Sequence, residues 1–190
     1  MSFNELNSVE HFIIHQLTGL DLNAMKVSEP KATYGVQWVY KSADELQRSV
    51  NEVLVESDLK DALIRLNPEI TANPALADEV IYKLRAVLIA VNQVGLVKAN
   101  EEFFKWMTGE KTMPFGENNR HVPICLIDFE DLSNNIYIAT NQFRIHHRET
   151  KIPDVVLIIN GIPVVIGEAK TPIRPSVSWL DGADEIHRVY

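Results

Sequence analysis

A single cysteine, Cys125, is all the thiol in this chain, which excludes an internal disulfide and any zinc site built from several thiolates. It lies in the apolar run Ile124 to Ile127, where a thiol behaves as a small hydrophobe, so it reads as core and not as a nucleophile. Positive charge is also short: 18 Lys and Arg stand against 26 Asp and Glu, for a net charge of -8 and a pI near 5.2. That balance opposes unaided binding to nucleic acid. It still permits a metal site, which concentrates acid locally, with the grip supplied by a partner or a neighbouring domain. The N-terminus has no basic segment followed by an apolar one, and no apolar run approaches bilayer-spanning length. The expectation is a cytoplasmic protein with no membrane partner. No G-x-x-x-x-G-K-[ST] occurs and no G-x-G-x-x-G follows a strand, so ATP-driven or dinucleotide functions belong elsewhere. Internal repeats and low-complexity tracts are absent as well.

What is present is a folded composition: 190 residues, 46% hydrophobic and 23% charged, suit one sizeable core or a core plus a helical subdomain. We read a single domain over 1-190, with a mainly helical part at 1-109 and a sheet-containing part at 110-190. Ser8 to Leu17 is a short helix by its apolar spacing, and Thr33 to Val39 is a strand or an extended loop. Glu10, in the first turn of that helix, has an ordinary role in stabilising the helix dipole and a less ordinary one as an extra metal-site acid. Ser42 and Glu45 form a capping-box pattern that predicts a helix running to about Leu66, closed by Asn67-Pro68. Asn73-Pro74 opens a long amphipathic helix through Val91, and a further helix covers Asn100 to Met107 with Gly109 as terminator. Its Phe103, Phe104 and Trp106 read as packing residues. Glu110 to Pro123 is polar and turn-rich, a loop in which Arg120-His121 either touches a phosphate or is simply solvated.

From Ile124 the period changes. Ile124 to Phe129, Ile136 to Ile145, Val155 to Ile159 and Val164 to Ala169 are apolar, β-branched runs parted by turns, which predicts a mixed sheet. His146 and His147, adjacent on a strand, point to opposite faces and do not pair for a metal. Ser176 to Tyr190 is helical and ends without a stop signal, so a longer chain is expected.

The last two strands flank Asn160-Gly161, a strong antiparallel hairpin signal. Charge gathers at the hairpin's open end, with Asp154 before the first strand and Glu168 and Lys170 where the second finishes. Paired carboxylates hold a hard divalent cation, and an ammonium beside them orients a water or offsets charge on a phosphoryl group. A surface hairpin ending in a solvated salt bridge uses the same residues.

Pro153-Asp154 followed, after the hairpin, by Glu168-Ala169-Lys170 resembles the PD-(D/E)xK nuclease signature. A wider set of residues narrows the likeness: Arg65-Leu66-Asn67-Pro68, Asn100 to Gly109, Leu126-Ile127-Asp128-Phe129, Asn135, Asn141-Gln142 and Asn160-Gly161-Ile162-Pro163. Over most of its length the chain resembles the N-terminal portion of type I restriction enzyme R subunits. The resemblance implies an α/β fold, a restriction-endonuclease-like mixed sheet flanked by helices with a helical N-terminal half. It implies a type I site-specific deoxyribonuclease that hydrolyses double-stranded DNA with Mg2+, ATP being used only by downstream helicase-like motor domains. Asp154, Glu168 and Lys170 would be catalytic, and Asp154, Glu168 and Ala169 the metal set. Methyltransferase and specificity subunits would be partners. Related nucleases often carry Gln-x-x-x-Tyr on the following helix. Here Tyr190 matches the tyrosine, Ile186 stands where the glutamine belongs, and Glu185 substitutes only if the helix register shifts. The rival reading is a non-cleaving module of the same fold that couples the motor to DNA or to the methyltransferase.

A shared metal places a condition on the hairpin. With a plain two-residue turn and regular pairing, Asp154 falls opposite Gly167 and Glu168 opposite Pro153, so the carboxylates point apart. The expectation is therefore a three-residue loop, Ile159 to Gly161, or a bulge near Gly167.

Overall fold

The computed structural model describes residues 9-24, 26-27, 36-146, 149-170 and 178-189. In chain order its elements are α1 (His11–Thr18), β1 (Leu20–Asp21), β2 (Lys26–Val27), β3 (Trp38–Tyr40), α2 (Glu56–Leu66), α3 (Pro68–Ala72), α4 (Leu76–Val94), α5 (Leu96–Met107), β4 (Thr112–Met113), β5 (Val122–Pro123), β6 (Tyr137–Asn141), β7 (Ile145–His146), β8 (Thr150–Lys151), β9 (Val155–Ile159), β10 (Ile162–Gly167) and α6 (Trp179–Val189). They form a mixed α/β structure in two compact units, one from Met1–Val55 with Ile136–Tyr190 and the other from Glu56–Asn135. The second unit takes with it residues 110-135, which the sequence pattern joins to the sheet half.

The first unit is built on a four-stranded sheet in the order β10-β9-β6-β3. β9 runs antiparallel to both β10 and β6, whereas β3 runs parallel to β6, so the sheet is mixed as expected. Alternation along β9 sorts its side chains onto two faces. Val156 and Ile158 pack with Leu46, Val55, Ile138 and Phe143, while Val155 packs with Ile14 and Ala139 and against Ile13, Leu17 and Trp38. Of the segment expected to be a strand or an extended loop, residues 33-35 lie outside the described residues, and its end enters β3 at Trp38–Tyr40, where the Trp38 ring meets Tyr137 edge-on at 5.2 Å. β10 is an edge strand, which explains how Pro163 is tolerated in it.

The Asn-Gly turn is buried, not a surface tip. Asn160 is fully inaccessible; its N–H donates to the Ile136 carbonyl and its side-chain oxygen accepts from the Ile136 N–H. Asn160 at φ 51 and Gly161 at φ 80 are both left-handed, as a two-residue type I′ turn requires.

Several expectations are corrected. The helix predicted from Ser42 begins only at Glu56. The capping-box bonds do form, from Ser42 N and Oγ to Glu45 Oε2 at 2.7 and 2.8 Å, but they close a turn. Arg48 then holds the chain out of the helix by donating to the carbonyls of Ser49, Glu52 and Arg144 while lying 3.6 Å over the Phe143 ring.

In the second unit, Leu59, Leu63, Ile70, Val80 and Leu84 on α2 to α4 are fully buried. α4 and α5 meet at Gly95, whose φ of 85 lets the chain turn between them. Trp106 is packed as expected, but Phe104 is exposed. The polar segment 110-123 is a short ribbon, β4 with β5, not a plain loop. No strand forms over Ile124 to Phe129, because the backbone of Cys125 is already satisfied by a side chain: Asn67 donates to its carbonyl at 2.9 Å and accepts from its N–H at 2.8 Å. No described helix is long and apolar enough to cross a membrane.

Candidate active site

The charged end of the hairpin depends on one unpaired residue. Pairing runs Ile162 with Ile159 and Pro163 with Ile158, then skips Val164 and resumes with Val165 opposite Leu157, Ile166 opposite Val156 and Gly167 opposite Val155. The expected odd-length loop is absent because the type I′ turn already fits the strand twist. The extra residue sits instead at Val164, a bulge nearer the turn than Gly167. Continued one step further, the register sets Asp154 across from Glu168. The Ala169 N–H donates to Asp154 Oδ2 at 2.7 Å, joining the two strand ends directly.

Around this end the acids are crowded. Burial pushes the Glu168 carboxyl above its ordinary 4.5; the Lys170 hydrogen bond opposes the rise, and the charges of Asp154 and Glu185 add to it. Lys170 Nζ donates to Glu168 Oε1 at 3.1 Å and to Glu185 Oε2 at 2.5 Å. Burial alone would lower the lysine's pKa, but the bonds to Glu185 and Glu168 outweigh it and hold the side chain as an ammonium. Glu185 thus reaches the lysine from α6, on which Gly182 is buried beside the same strand end. Tyr190 and His147 lie outside the described residues.

Glu10 proves to be more than a helix-dipole group. It is buried, and its carboxylate turns to the sheet, accepting from Asn141 Nδ2 at 3.3 Å and from Gln142 Nε2 at 3.1 and 3.0 Å. Burial raises its pKa; the Gln142 bond pulls down and the Asp154 charge pushes up. Asn141 in turn accepts from the Tyr40 hydroxyl at 3.0 Å. Structure therefore brings Glu10, Asp154, Glu168 and Lys170 into one connected set and adds Gln142 and Glu185. The sequence signal for Gln142 was available: two amides close the strand that begins Tyr137-Ile138-Ala139, where solvent alone would not require them.

Among the described residues no three His, Cys, Asp or Glu side chains form a metal cage of their own. The donor set across the hairpin is nonetheless hard and anionic: two carboxylates, with the Ala169 carbonyl between Glu168 and Lys170 in sequence. Such a set suits magnesium, which needs few protein oxygens and keeps several waters.

Comparison with known proteins agrees with the residue pattern. The family described as Type I restriction enzyme R protein N terminus matches residues 2–189. The chain is 27% identical over 161 residues to the type I restriction enzyme HindI endonuclease subunit of Haemophilus influenzae, covering 78% of this chain and 15% of that protein. It is 29% identical over 143 residues to a protein of Methanocaldococcus jannaschii provisionally named the type I restriction enzyme MjaIXP endonuclease subunit, covering 70% of this chain and 13% of the relative. The chain thus spans only about 15% of the length of these curated relatives. No solved structure matches it. With the family matching nearly end to end, the chain belongs to the N-terminal region of type I restriction enzyme R proteins.

Proposed function

We propose that this chain is the Mg2+-dependent endonuclease domain of a type I restriction R subunit, a PD-(D/E)xK nuclease that hydrolyses phosphodiester bonds of double-stranded DNA. The observation behind this reading is the Val164 bulge. It reverses the parity of the hairpin and sets Asp154 opposite Glu168, with Lys170 Nζ 3.1 Å from the Glu168 carboxylate. A surface salt bridge needs no such device.

Asp154, Glu168 and the Ala169 carbonyl would hold the cation, with Glu10 as a further acid behind Asp154. When bound, Mg2+ supplies a more acidic water and neutralises charge on a phosphoryl oxygen. Lys170, held as an ammonium between Glu168 and Glu185, orients the attacking water and offsets charge on the phosphate. Substrate grip comes from elsewhere, given the net charge of -8. ATP-dependent motor domains and the methyltransferase and specificity subunits fill that role in this reading.

The test is cleavage by Asp154→Ala in the reconstituted restriction complex. Cleavage is lost and ATP-driven translocation continues. Unchanged cleavage would assign the chain to the coupling role instead.

A further inference from the structure

Gln142 follows the last residue of β6 with a left-handed backbone, φ 53, which a non-glycine residue adopts under strain. That conformation turns both its backbone and its side chain onto the acids. Its N–H donates to the Asp154 carbonyl at 3.0 Å. Its side-chain Nε2 lies 3.1 and 3.0 Å from the two Glu10 carboxylate oxygens and 3.4 Å from Asp154 Oδ1. One neutral amide thus lies between two carboxylates that repel each other, and Gln142 is itself exposed. Asn141 cannot substitute, since its own amide is committed to Glu10 and to the Tyr40 hydroxyl.

We propose that Gln142 is a positioning residue of the cleavage site: its left-handed backbone and side-chain amide fix Asp154 relative to Glu10, so that both carboxylates present their oxygens to one cation. This rests on the nuclease reading above. A core role fails to explain the residue, because an exposed side chain adds little packing and an asparagine or glycine would adopt the backbone conformation with less strain.

The experiment compares Gln142→Gly, Gln142→Asn and Gln142→Glu with Asp154→Ala in the reconstituted complex. It follows cleavage, ATP-driven translocation, thermal unfolding, and Mg2+ or Mn2+ binding to the R subunit by calorimetry. Gln142→Gly relieves the backbone and removes the amide, so it should melt no lower than the parent while cleavage falls about 10- to 100-fold, the scale of a small misplacement of reacting groups. Its cation affinity should weaken as well. Gln142→Asn keeps a donor and should recover part of the loss, whereas Gln142→Glu adds a third anion and should lose most. Translocation stays unchanged throughout. Parental cleavage and cation binding in Gln142→Gly, with Asp154→Ala inactive, would overturn the positioning role and leave the nuclease reading standing. Normal cleavage by Asp154→Ala would overturn both.

Discussion

In the inserted unit, the buried Asn67 ties the end of α2 to the backbone of Cys125, with its amide nitrogen donating to the carbonyls of Leu63 and Cys125 and its oxygen accepting from the Cys125 N–H. In the sheet unit, Asn141 and Gln142 are also amides closing a secondary-structure element, yet they turn to carboxylates. The first network is neutral and complete, so it contributes stability outright. The second gathers like charges; burial raises the pKa values of both Glu10 and Glu168, and the neighbouring Asp154 charge adds to the rise. Evolving a stable hairpin does not require that crowding. The contrast separates a polar group that satisfies backbone from polar groups that satisfy carboxylates, and the second kind marks a candidate site.

The largest expected effect comes from shifting the register beyond the bulge. Inserting one residue between Val165 and Ile166, with the Val164 bulge and the two-residue turn retained, moves Gly167 opposite Asp154 and Glu168 opposite Pro153, so that the two carboxylates point to opposite faces. Cleavage by the reconstituted complex should drop at least about a hundredfold, the loss seen when one preorganised charge-stabilising group is removed. β9 and β10 should still pair, as amide exchange would show. Retained cleavage would mean that the parity of the hairpin is irrelevant to the site.

Next is the neutral network. Asn67→Ala orphans the N–H and carbonyl of Cys125 and should destabilise the inserted unit by about 2–4 kcal/mol, since each buried group left without a partner costs about 1–3 kcal/mol. Chemical denaturation measures it. A loss below about 0.5 kcal/mol would show that water replaces the amide and that Asn67 is no staple.

How much of this was legible beforehand follows the range of the interactions. Local signals held where local physics decides: Asn160-Gly161 forms its two-residue turn, the apolar spacing of 76–91 lies within α4, and alternation places Val156 and Ile158 on the opposite face from Val155. The parity condition was also readable, because it follows from a period of two and a demand for a shared face. Its solution was not, since nothing in Pro163-Val164-Val165 marks which residue bulges. Long-range hydrogen bonds overrode local pattern elsewhere. Arg48 took carbonyls from residues as far along the chain as Arg144, so a valid capping box opened no helix. Asn67 took the backbone of Cys125, so an apolar run made no strand. Glu10 looked like a dipole group until Gln142, 132 residues away, was placed against it.

A smaller effect tests the charged network by pH. The folded-state pKa values of Glu10 and Glu168 lie above the ordinary 4.5, so between that value and the raised one the folded protein binds more protons than the unfolded chain. Stability therefore falls as pH rises through this window and the carboxyls ionise in place. Glu10→Gln should flatten that fall and raise stability at neutral pH, read from denaturant midpoints between pH 4 and pH 8 as a rough range. Stability that rises across the window, with no change in Glu10→Gln, would show that these acids are not crowded in solution.

The smallest effect concerns how tightly α6 seals the lysine side of the site. A Cβ built on Gly182 would lie 3.4 Å from the Glu168 carbonyl oxygen and 3.4 Å from Lys170 Cγ, an ordinary contact that demands no shift. Glycine inside a helix is less favourable than alanine by about 0.8–1 kcal/mol. Gly182→Ala should therefore stabilise α6 by up to about 1 kcal/mol in thermal unfolding, with cleavage changed less than about twofold. The Glu185 bond to Lys170 should persist, since the helix need not move. A clear loss of cleavage without a loss of stability would show that α6 must approach more closely during the reaction than it does at rest, and that the lysine side of the site is completed only when substrate is bound.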